Sequence, residues 1–241
     1  MKKASKVDLI KKKMLLSEIL SVLKRRYTYK EISDFIGLPP AVLARYAKGH
    51  VLPKEERADE IVEKLTKKIP IEEILASSIQ KTHQGYYNVT SLIWDIELLR
   101  LVSKIVASRF EGLVITKVLT ASADGVPLAT LIANELGLDL VVAKDRKEAG
   151  IEEFVEETFI PSDTAIVRTL YIPKNSIKRS DSILVVDDVI RTGETQLCLM
   201  RLVEKTKAKI AGAFFLLAVG NKWRALLEQE EIPFFILLKL P

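Results

Sequence analysis

The run Ile183–Thr195, ILVVDDVIRTGET, constrains this chain more than any other stretch of it. Apolar residues are followed at once by two carboxylates, a pattern typical of a buried parallel strand that ends at a polar edge. The turn Thr192–Thr195 leads into QLCLMRLVEK, whose apolar spacing predicts a helix. The run therefore predicts a strand, a tight turn and a helix, which is the repeating unit of an α/β sheet.

This predicted junction suits a sugar phosphate. Free N–H groups of the first helical turn and the hydroxyls of Thr192 and Thr195 favour a phosphate monoester, and Gly193 lets the backbone approach it. Asp187 and Asp188, at the carboxyl end of the strand, can accept hydrogen bonds from vicinal ribose hydroxyls. The alternative is an ordinary strand–helix turn with a threonine cap. The chain has no GxxxxGK[ST] motif, which excludes a Walker A loop.

The same run resembles, at every position, the signature of type I phosphoribosyltransferases. The resemblance implies an α/β fold with a central, mainly parallel sheet flanked by helices and a small hood over the site. It implies the ligand 5-phosphoribosyl 1-pyrophosphate (PRPP), with a Mg²⁺ ion that is held through PRPP rather than by direct protein ligands. The signature residues expected to contact PRPP are Asp187, Asp188, Arg191, Thr192, Gly193, Glu194 and Thr195.

A second anion-binding loop is predicted ahead of the signature. The strand candidate Leu113–Leu119 precedes a stretch of small residues and the apolar helix LATLIANELG. Small residues allow successive N–H groups to face an anion. Because strand, turn and helix are common in α/β folds, the position of this loop before the signature supports the assignment. It resembles the pyrophosphate loop of the same family, with contacts implied from Ser122, Ala123, Asp124 and Gly125.

The following strand candidate, 140–143, delivers a group of charges to the same edge of the sheet. By the family resemblance Lys144 contacts the ligand's phosphates, whereas a solvated charge cluster is the alternative. The segment Glu148–Pro161 resembles the mobile loop that covers the site in this family. It contains five glutamates, and no Lys, Arg or His lies between Lys147 and Arg168. Cations must stabilise a departing pyrophosphate, so this acidic segment disfavours turnover without excluding PRPP binding.

The N-terminal part of the chain carries the opposite charge. Residues 1–68 contain 17 Lys and Arg against 9 Asp and Glu, a net charge of +8, whereas the remainder has a net charge of −3. This asymmetry indicates an N-terminal unit that meets a polyanion. A solvated lysine-rich surface is the alternative.

The apolar pattern of this basic segment predicts three helices. The first has an apolar stripe formed by Leu15, Ile19, Leu20 and Leu23. The second covers residues 30–36, with Thr28 as its cap and Gly37 as its stop. The third carries Leu43 and Tyr46 inward and ends at Gly49. Two short helices joined by a glycine-containing turn are typical of a helix-turn-helix.

The stretch YTYKEISDFIGLPPAVLARYAKGHVLP is similar to DNA-binding domains of the phage-repressor type. In that docking mode the start of the third helix enters the major groove. Arg45 would read guanine, the alanine methyls would touch thymine, and Lys48 would pair with phosphate. The apolar start of this helix leaves a dimerisation module as the alternative. The residues expected at DNA are Thr28, Pro40, Ala41, Ala44, Arg45 and Lys48.

Length and composition favour two domains joined by a connector. The predicted ranges are 1–68 for the helix-turn-helix unit with the start of a connector helix, 69–85 for the connector, and 86–241 for the ligand-binding domain. The helix-rich stretch Lys54–Gln80, interrupted at Pro70, suits a connector. With a single cysteine, Cys198, and no apolar segment of spanning length, the sequence predicts a cytoplasmic protein with no membrane partner.

Two flanking segments, Tyr86–Thr90 and Asn221–Pro241, are expected to form the hood by resemblance to the family. Trp223 or Tyr87 would stack on a nucleobase there, and the alternative is that these aromatic residues belong to the core. No set of residues indicates which base is bound.

The combination of both units resembles the archaeal phosphoribosyltransferase-like transcriptional regulators called GfcR. In function it resembles bacterial purine repressors, which place a winged-helix domain before the same ligand site. The resemblance implies a homodimeric, DNA-binding regulator that senses PRPP and controls genes of nucleotide or central sugar metabolism. A working purine phosphoribosyltransferase of nucleotide salvage is the alternative.

Overall fold

The chain, in a computed structural model, forms two compact units, Met1–Ile74 and Leu75–Pro241. The structure describes residues 6–68, 71–83, 86–162 and 166–241. The division between the units falls inside the range 69–85 that the sequence predicts as a connector. Pro70, where the sequence predicts an interruption, lies outside the described residues.

The first unit is helical. Its helices within residues 6–68 are α1 (Lys6–Lys24), α2 (Tyr29–Ile36), α3 (Pro40–Ala47) and α4 (Glu55–Lys68), and α5 (Ile71–Ser77) follows. The stripe of α1 lies inside, with Ile19, Leu20 and Leu23 buried together with Leu43 of α3. Tyr46 is only half-buried, and α3 ends two residues before the predicted stop at Gly49.

Helix α4, with which the predicted connector helix starts, lies in the helical unit and inside the predicted range 1–68. Helix α4 packs against α1 and α2, with Ala58, Ile61 and Leu65 buried. These three residues are spaced by three and four, so they form one apolar stripe of the helix and bury it against its neighbours. The stretch from Lys54 is therefore not a free-standing connector at its start.

Helices α2 and α3 are joined by only three residues, Gly37–Pro39. Gly37 has a φ of 74°, in the left-handed region that favours glycine, and its N–H donates to the carbonyl of Ser33. Pro40 begins α3, where its missing N–H would have no helical partner in any case. The sequence thus ends one helix and starts the next within a single tight turn.

Thr28 begins α2 as predicted. Its hydroxyl accepts the N–H of Glu31 at 3.3 Å, and the Glu31 carboxylate accepts the N–H of Thr28 at 2.7 Å, which makes a reciprocal capping box. Replacing Thr28 by alanine is expected to lower the unfolding free energy of the helical unit by about 1 kcal/mol, because the cap loses its acceptor. Urea unfolding measures the loss. Ser33→Ala in the same helix is the control, and an equal loss there would contradict this role.

The second unit is an α/β domain, as predicted. Its elements are β1 (Gln80–Lys81), β2 (Tyr87–Asn88), α6 (Thr90–Ile93), α7 (Ile96–Arg109), β3 (Lys117–Ala121), α8 (Gly125–Leu136), β4 (Asp139–Ala143), β5 (Phe154–Phe159), β6 (Arg168–Pro173), β7 (Ser182–Ile190), α9 (Glu194–Lys205), β8 (Lys209–Val219), α10 (Trp223–Leu227), a 3₁₀ turn (Glu228–Glu230) and β9 (Phe234–Leu240). The central sheet has the order β4-β3-β7-β8-β9, and each neighbouring pair is parallel.

The signature strand lies in the middle of this sheet. Ile183 to Val186 are fully buried, as expected of a strand covered on both faces. The strand is longer than predicted, since β7 continues past Asp187 and Asp188 to Ile190. Its neighbour begins later than predicted, at Lys117 instead of Leu113.

The last part of the C-terminal segment belongs to the central sheet and not to a hood. Residues Phe234–Leu240 form β9, which pairs in parallel with β8 as the edge strand of the central sheet. Ile236, Leu237 and Leu238 are buried there. This apolar run suits a strand that packs in the core of the sheet. The small antiparallel pair β1–β2 contains Tyr87, whose hydroxyl donates to the carbonyl of Pro241 at 3.3 Å.

The segment predicted as a mobile loop contains regular structure. Within Glu148–Pro161, β5 pairs with β6 in an antiparallel arrangement, here called the β5–β6 hairpin. Residues 163–165, between these strands, lie outside the described residues. The hairpin packs on α9, where the Cys198 thiol donates to the carbonyl of Glu157 at 3.6 Å. Cys198 is buried, and this burial raises the pKa of its thiol to about 12. The thiol therefore packs in the core, as the sequence predicts.

Candidate ligand site at the carboxyl edge of the sheet

Asp187 is a buried carboxylate, with 6% of its surface exposed. One oxygen accepts the side-chain N–H of Gln196 at 2.6 Å, and the other accepts the N–H of Asp188 at 3.2 Å. Burial raises the pKa of Asp187 well above its ordinary value, and the neighbouring charge of Asp188 raises it further. Both oxygens of Asp187 are thus engaged in hydrogen bonds within the protein.

Gln196 is a site residue that reasoning from the sequence missed. It is 3% exposed and also approaches the carbonyl of Val189 at 3.4 Å. Its signal was present in the sequence, because a glutamine lies three and four residues before Leu199 and Met200 on the buried face of α9. A polar residue on an otherwise apolar helix face normally has a buried partner.

Asp188 is half-buried and faces the second predicted loop. Burial raises its pKa, hydrogen bonds from Asp187 and Val189 oppose that rise, and the charge of Asp124 adds to it. The structure thus brings the loop after β3 and the end of β7 together, as the parallel sheet requires. Ser122, Ala123 and Asp124 are exposed at this edge.

Gly125 allows this close approach. A Cβ atom at this position would lie 2.6 Å from the Oδ1 of Asp187 and 2.6 Å from the Oγ1 of Thr120. No side chain fits in that space, so the first turn of α8 can lie against the signature carboxylate only with glycine here. Thr120 is fully buried beside it and was not predicted as a site residue.

The turn after β7 is tight and contains a glycine in the left-handed region, as its sequence predicts. Gly193 has a φ of 91°, and a Cβ atom there would lie 3.4 Å from the Cα of Trp223. Thr192 and Thr195 are half-buried on its two sides. A pocket of about 150 Å³ opens at the turn, lined by Pro161, Arg168, Val189, Arg191, Thr192, Glu194, Thr195 and Gln196.

Trp223 supports this turn from beneath. It is 2% exposed, belongs to the main apolar core and donates its indole N–H to the carbonyl of Gly220 at 2.9 Å. The interpretation of Trp223 as a core residue is confirmed, and its ring is not free to stack on a nucleobase.

Lys144 lies apart from the turn, on a second cavity of about 290 Å³. It forms an ion pair with Glu148. Other glutamates of the acidic segment are likewise paired, as Glu153 with Lys174, Glu156 with Lys147 and Glu157 with Lys205. These carboxylates are thus largely engaged with lysines of the same unit, and Lys144 is one of those lysines.

Within the described ranges, no three or more His, Cys, Asp or Glu side chains are grouped so as to hold a metal ion. The described helices also include none with the length and apolar character needed to cross a membrane.

The domain has a five-stranded parallel sheet with two loops at its carboxyl edge, and one of these loops follows paired aspartates. These features define the class of α/β proteins with the type I phosphoribosyltransferase fold. The model of the phosphoribosyl transferase domain matches residues 76–231, and the chain belongs to this family.

Two kinds of relatives resemble this chain in sequence. It is 25% identical over 200 residues to the purine biosynthesis transcriptional repressor PurR of Bacillus subtilis, covering 83% of this chain and 67% of that protein. It is 33% identical over 119 residues to the xanthine phosphoribosyltransferase of Bacillus cereus, covering 49% of this chain and 60% of that enzyme. The chain thus spans between 60% and 67% of the length of these relatives.

Solved structures of adenine phosphoribosyltransferases share the fold. The enzyme from Rhodothermus marinus is 24% identical with a TM-score of 0.63, over 70% of this chain and 98% of that one. The enzyme from Thermoanaerobacter pseudethanolicus is 18% identical with the same TM-score of 0.63, over 70% and 99%. At these identities the likeness shows the fold alone.

Proposed function

We propose that the protein is a DNA-binding transcriptional regulator that senses PRPP through its phosphoribosyltransferase domain. The observation that carries this proposal is the similarity to the repressor PurR over 200 residues. This stretch is longer than the whole unit Leu75–Pro241, so it includes part of the helical unit. The xanthine phosphoribosyltransferases match over 119 residues only.

The helical unit supports DNA binding through a helix-turn-helix formed by α2 and α3. The start and outer face of α3 are accessible, with Pro40, Ala41, Arg45 and Lys48 exposed and Ala44 half-exposed. In this proposal Arg45 reads a base in the major groove and Lys48 contacts a phosphate. In the same proposal Thr28, exposed at the start of α2, contacts a backbone phosphate.

The ligand site supports PRPP as the effector. The hydroxyls of Thr192 and Thr195 and the first N–H groups of α9 would bind the 5-phosphate, and Asp188 would accept the ribose hydroxyls. In this proposal a Mg²⁺ ion is held through PRPP rather than by direct protein ligands. That ion would neutralise the pyrophosphate of the ligand.

Regulation would follow from linkage between the two sites. A ligand that binds one arrangement of a homodimer more tightly shifts DNA affinity by its differential binding energy, typically about 1 to 3 kcal/mol. A homodimer is part of the proposal, because two basic units on two half-sites bind far better than one. Genes of nucleotide or central sugar metabolism are the proposed targets.

DNA binding is expected to depend on Arg45. DNA selected from a random-sequence pool is bound in gel shifts, and Arg45→Ala is expected to weaken binding by about 1 to 3 kcal/mol. Arg179→Ala, in which an exposed arginine of the other unit is replaced, is the control and should bind DNA like the unchanged protein.

PRPP with Mg²⁺ is expected to change the DNA affinity of the unchanged protein, and this affinity should also weaken steeply with salt. Equal DNA affinity with and without PRPP would exclude the regulatory role.

A working purine phosphoribosyltransferase is the second candidate, favoured by the 33% identity to xanthine phosphoribosyltransferase. The absence of Lys, Arg and His between Lys147 and Arg168 argues against it, since leaving-group charge needs cations. Mixing the protein with Mg²⁺, PRPP and each purine base distinguishes the two candidates. Robust nucleotide formation with any base would make catalysis the primary function.

A further inference from the structure

Glu194 is the first residue of α9, and its side chain turns back over the turn that joins β7 to α9. Its carboxylate accepts the hydroxyl of Thr192 at 2.8 Å, and both of its oxygens accept the N–H of Ser162 at 3.1 Å. Partial burial alone would raise its pKa, but the hydrogen bonds from Thr192 and Ser162 and the charge of Lys222 hold the pKa of Glu194 below its ordinary value. The carboxylate is therefore ionised at neutral pH.

This carboxylate and a ligand phosphate have conflicting requirements. The hydroxyl of Thr192 carries a single proton, so it cannot donate to Glu194 and to a phosphate at once. Two anions at the same turn also repel each other. Glu194 lines the same pocket as Arg168 and Arg191, whose cations would favour either anion there. A phosphate can bind this turn well only if the side chain of Glu194 leaves it.

The contact also ties a second element to the turn. Ser162 lies beyond the end of β5, in the β5–β6 hairpin, 32 residues before Glu194. The middle of that hairpin is held separately, because Lys205 of α9 pairs with Glu157 at 2.6 Å and Cys198 donates to the Glu157 carbonyl. Loss of the Glu194 contact would therefore free Ser162, just beyond β5, while β5 itself stays paired with β6 and docked on α9.

We propose that the Glu194 carboxylate is a built-in competitor of the ligand's phosphate, and that the phosphate, by displacing it, releases the hairpin end at Ser162. The inference rests on the proposed function, because it requires a phosphate-bearing ligand at this turn. It adds a conformational change to that function, because a ligand bound at the turn alters the hydrogen bonding of Ser162, which lies outside the turn. Glu194 thus contributes an N–H group to the ligand and a side chain that opposes it.

Two variants test the competition, with the full chain in each case. Glu194→Ala removes the carboxylate, and Glu194→Gln keeps its size without its charge. Titration calorimetry with PRPP and Mg²⁺ is expected to show about tenfold tighter binding for Glu194→Ala and a smaller gain for Glu194→Gln. Ribose 5-phosphate should show the same gains, because the competition concerns the 5-phosphate. Glu152→Ala, an exposed glutamate of the acidic segment, controls for net charge.

Hydrogen exchange of the Ser162 amide tests the release. In the unchanged protein PRPP is expected to speed this exchange, and in Glu194→Ala the exchange should be fast already and unaffected by PRPP. Equal or weaker PRPP binding by both Glu194 variants, an equal gain in Glu152→Ala, or an unchanged Ser162 amide in Glu194→Ala would overturn the inference. Failure of the unchanged protein and all variants to bind PRPP would instead reject the proposed function.

Discussion

Replacing Asp187 and Asp188 together by asparagine is expected to lower PRPP affinity at least about 100-fold. Hydrogen bonds to charged groups contribute about 1.5 to 3 kcal/mol each, and the double variant loses Asp188, the proposed charged acceptor of both ribose hydroxyls, together with the charge of Asp187 behind it. Titration calorimetry with PRPP and Mg²⁺ measures the change. Asp139→Asn with Glu111→Gln, two exposed acids, gives the same change of net charge and should leave the affinity unchanged.

The same double variant is expected to remain folded. Because burial raises the pKa of both carboxylates, the folded state holds their protons more tightly than the unfolded chain does. Stability from this pair is then present at low pH and is lost as pH rises from the ordinary value of 3.8 through the raised values. The double variant lacks this loss, although an asparagine at position 187 keeps only one of the two oxygens that accept hydrogen bonds from Gln196 and Asp188. Its unfolding free energy, relative to that of the unchanged protein, should therefore rise with pH.

Urea unfolding at a series of pH values checks this expectation. The difference in unfolding free energy between the variant and the unchanged protein should grow in favour of the variant as pH rises above about 4. A variant that binds PRPP normally would mean that the ligand lies elsewhere. A constant difference in unfolding free energy between the two proteins at all pH values would contradict the raised pKa values of these carboxylates.

Gly125→Ala is expected to damage both the fold and the site. The added Cβ would lie 2.6 Å from the oxygens of Asp187 and Thr120, far inside van der Waals contact, so α8 must move away from β7. Overpacking of this kind costs about 1 to 3 kcal/mol of unfolding free energy. PRPP affinity should fall as well, because the loop after β3 moves with the helix.

Gly150→Ala provides the matched control for this change. A Cβ atom at Gly150 would meet nothing within 4 Å, so the substitution should alter the unfolding free energy by less than about 0.5 kcal/mol. Thermal unfolding and PRPP titration are measured on both variants. A Gly125→Ala protein that unfolds and binds like Gly150→Ala would show that the approach of α8 to Asp187 is not tight in solution.

Local patterns predicted the elements of the site and missed their lengths. The strand of the signature was recognised from its apolar run, yet β7 continues through Asp187 to Ile190, because pairing with β8 extends beyond the apolar residues. The segment after Asn221 was expected to form a hood. Its last part, Phe234–Leu240, is instead an edge strand, since the order of strands in a sheet depends on contacts between distant segments.

The helical unit shows the same division. The capping box at Thr28 and the glycine stop at Gly37 are local signals, and both were predicted at the right residues. The stretch that contains α4 is predicted only as part of a connector, because an apolar stripe such as Ala58, Ile61 and Leu65 shows that a face is buried and not which helices bury it.

The amino-acid sequence by itself determined the family, the α/β class and the places of the two loops, because a strand, a glycine-containing turn and a helix are encoded within a few neighbouring residues. Only the tertiary structure decided which groups those residues meet. Gln196 on Asp187, Thr120 beside Gly125 and Ser162 on Glu194 are contacts between separate elements. Their geometry follows from how helices and a hairpin pack on the sheet, which no local pattern of residues specifies.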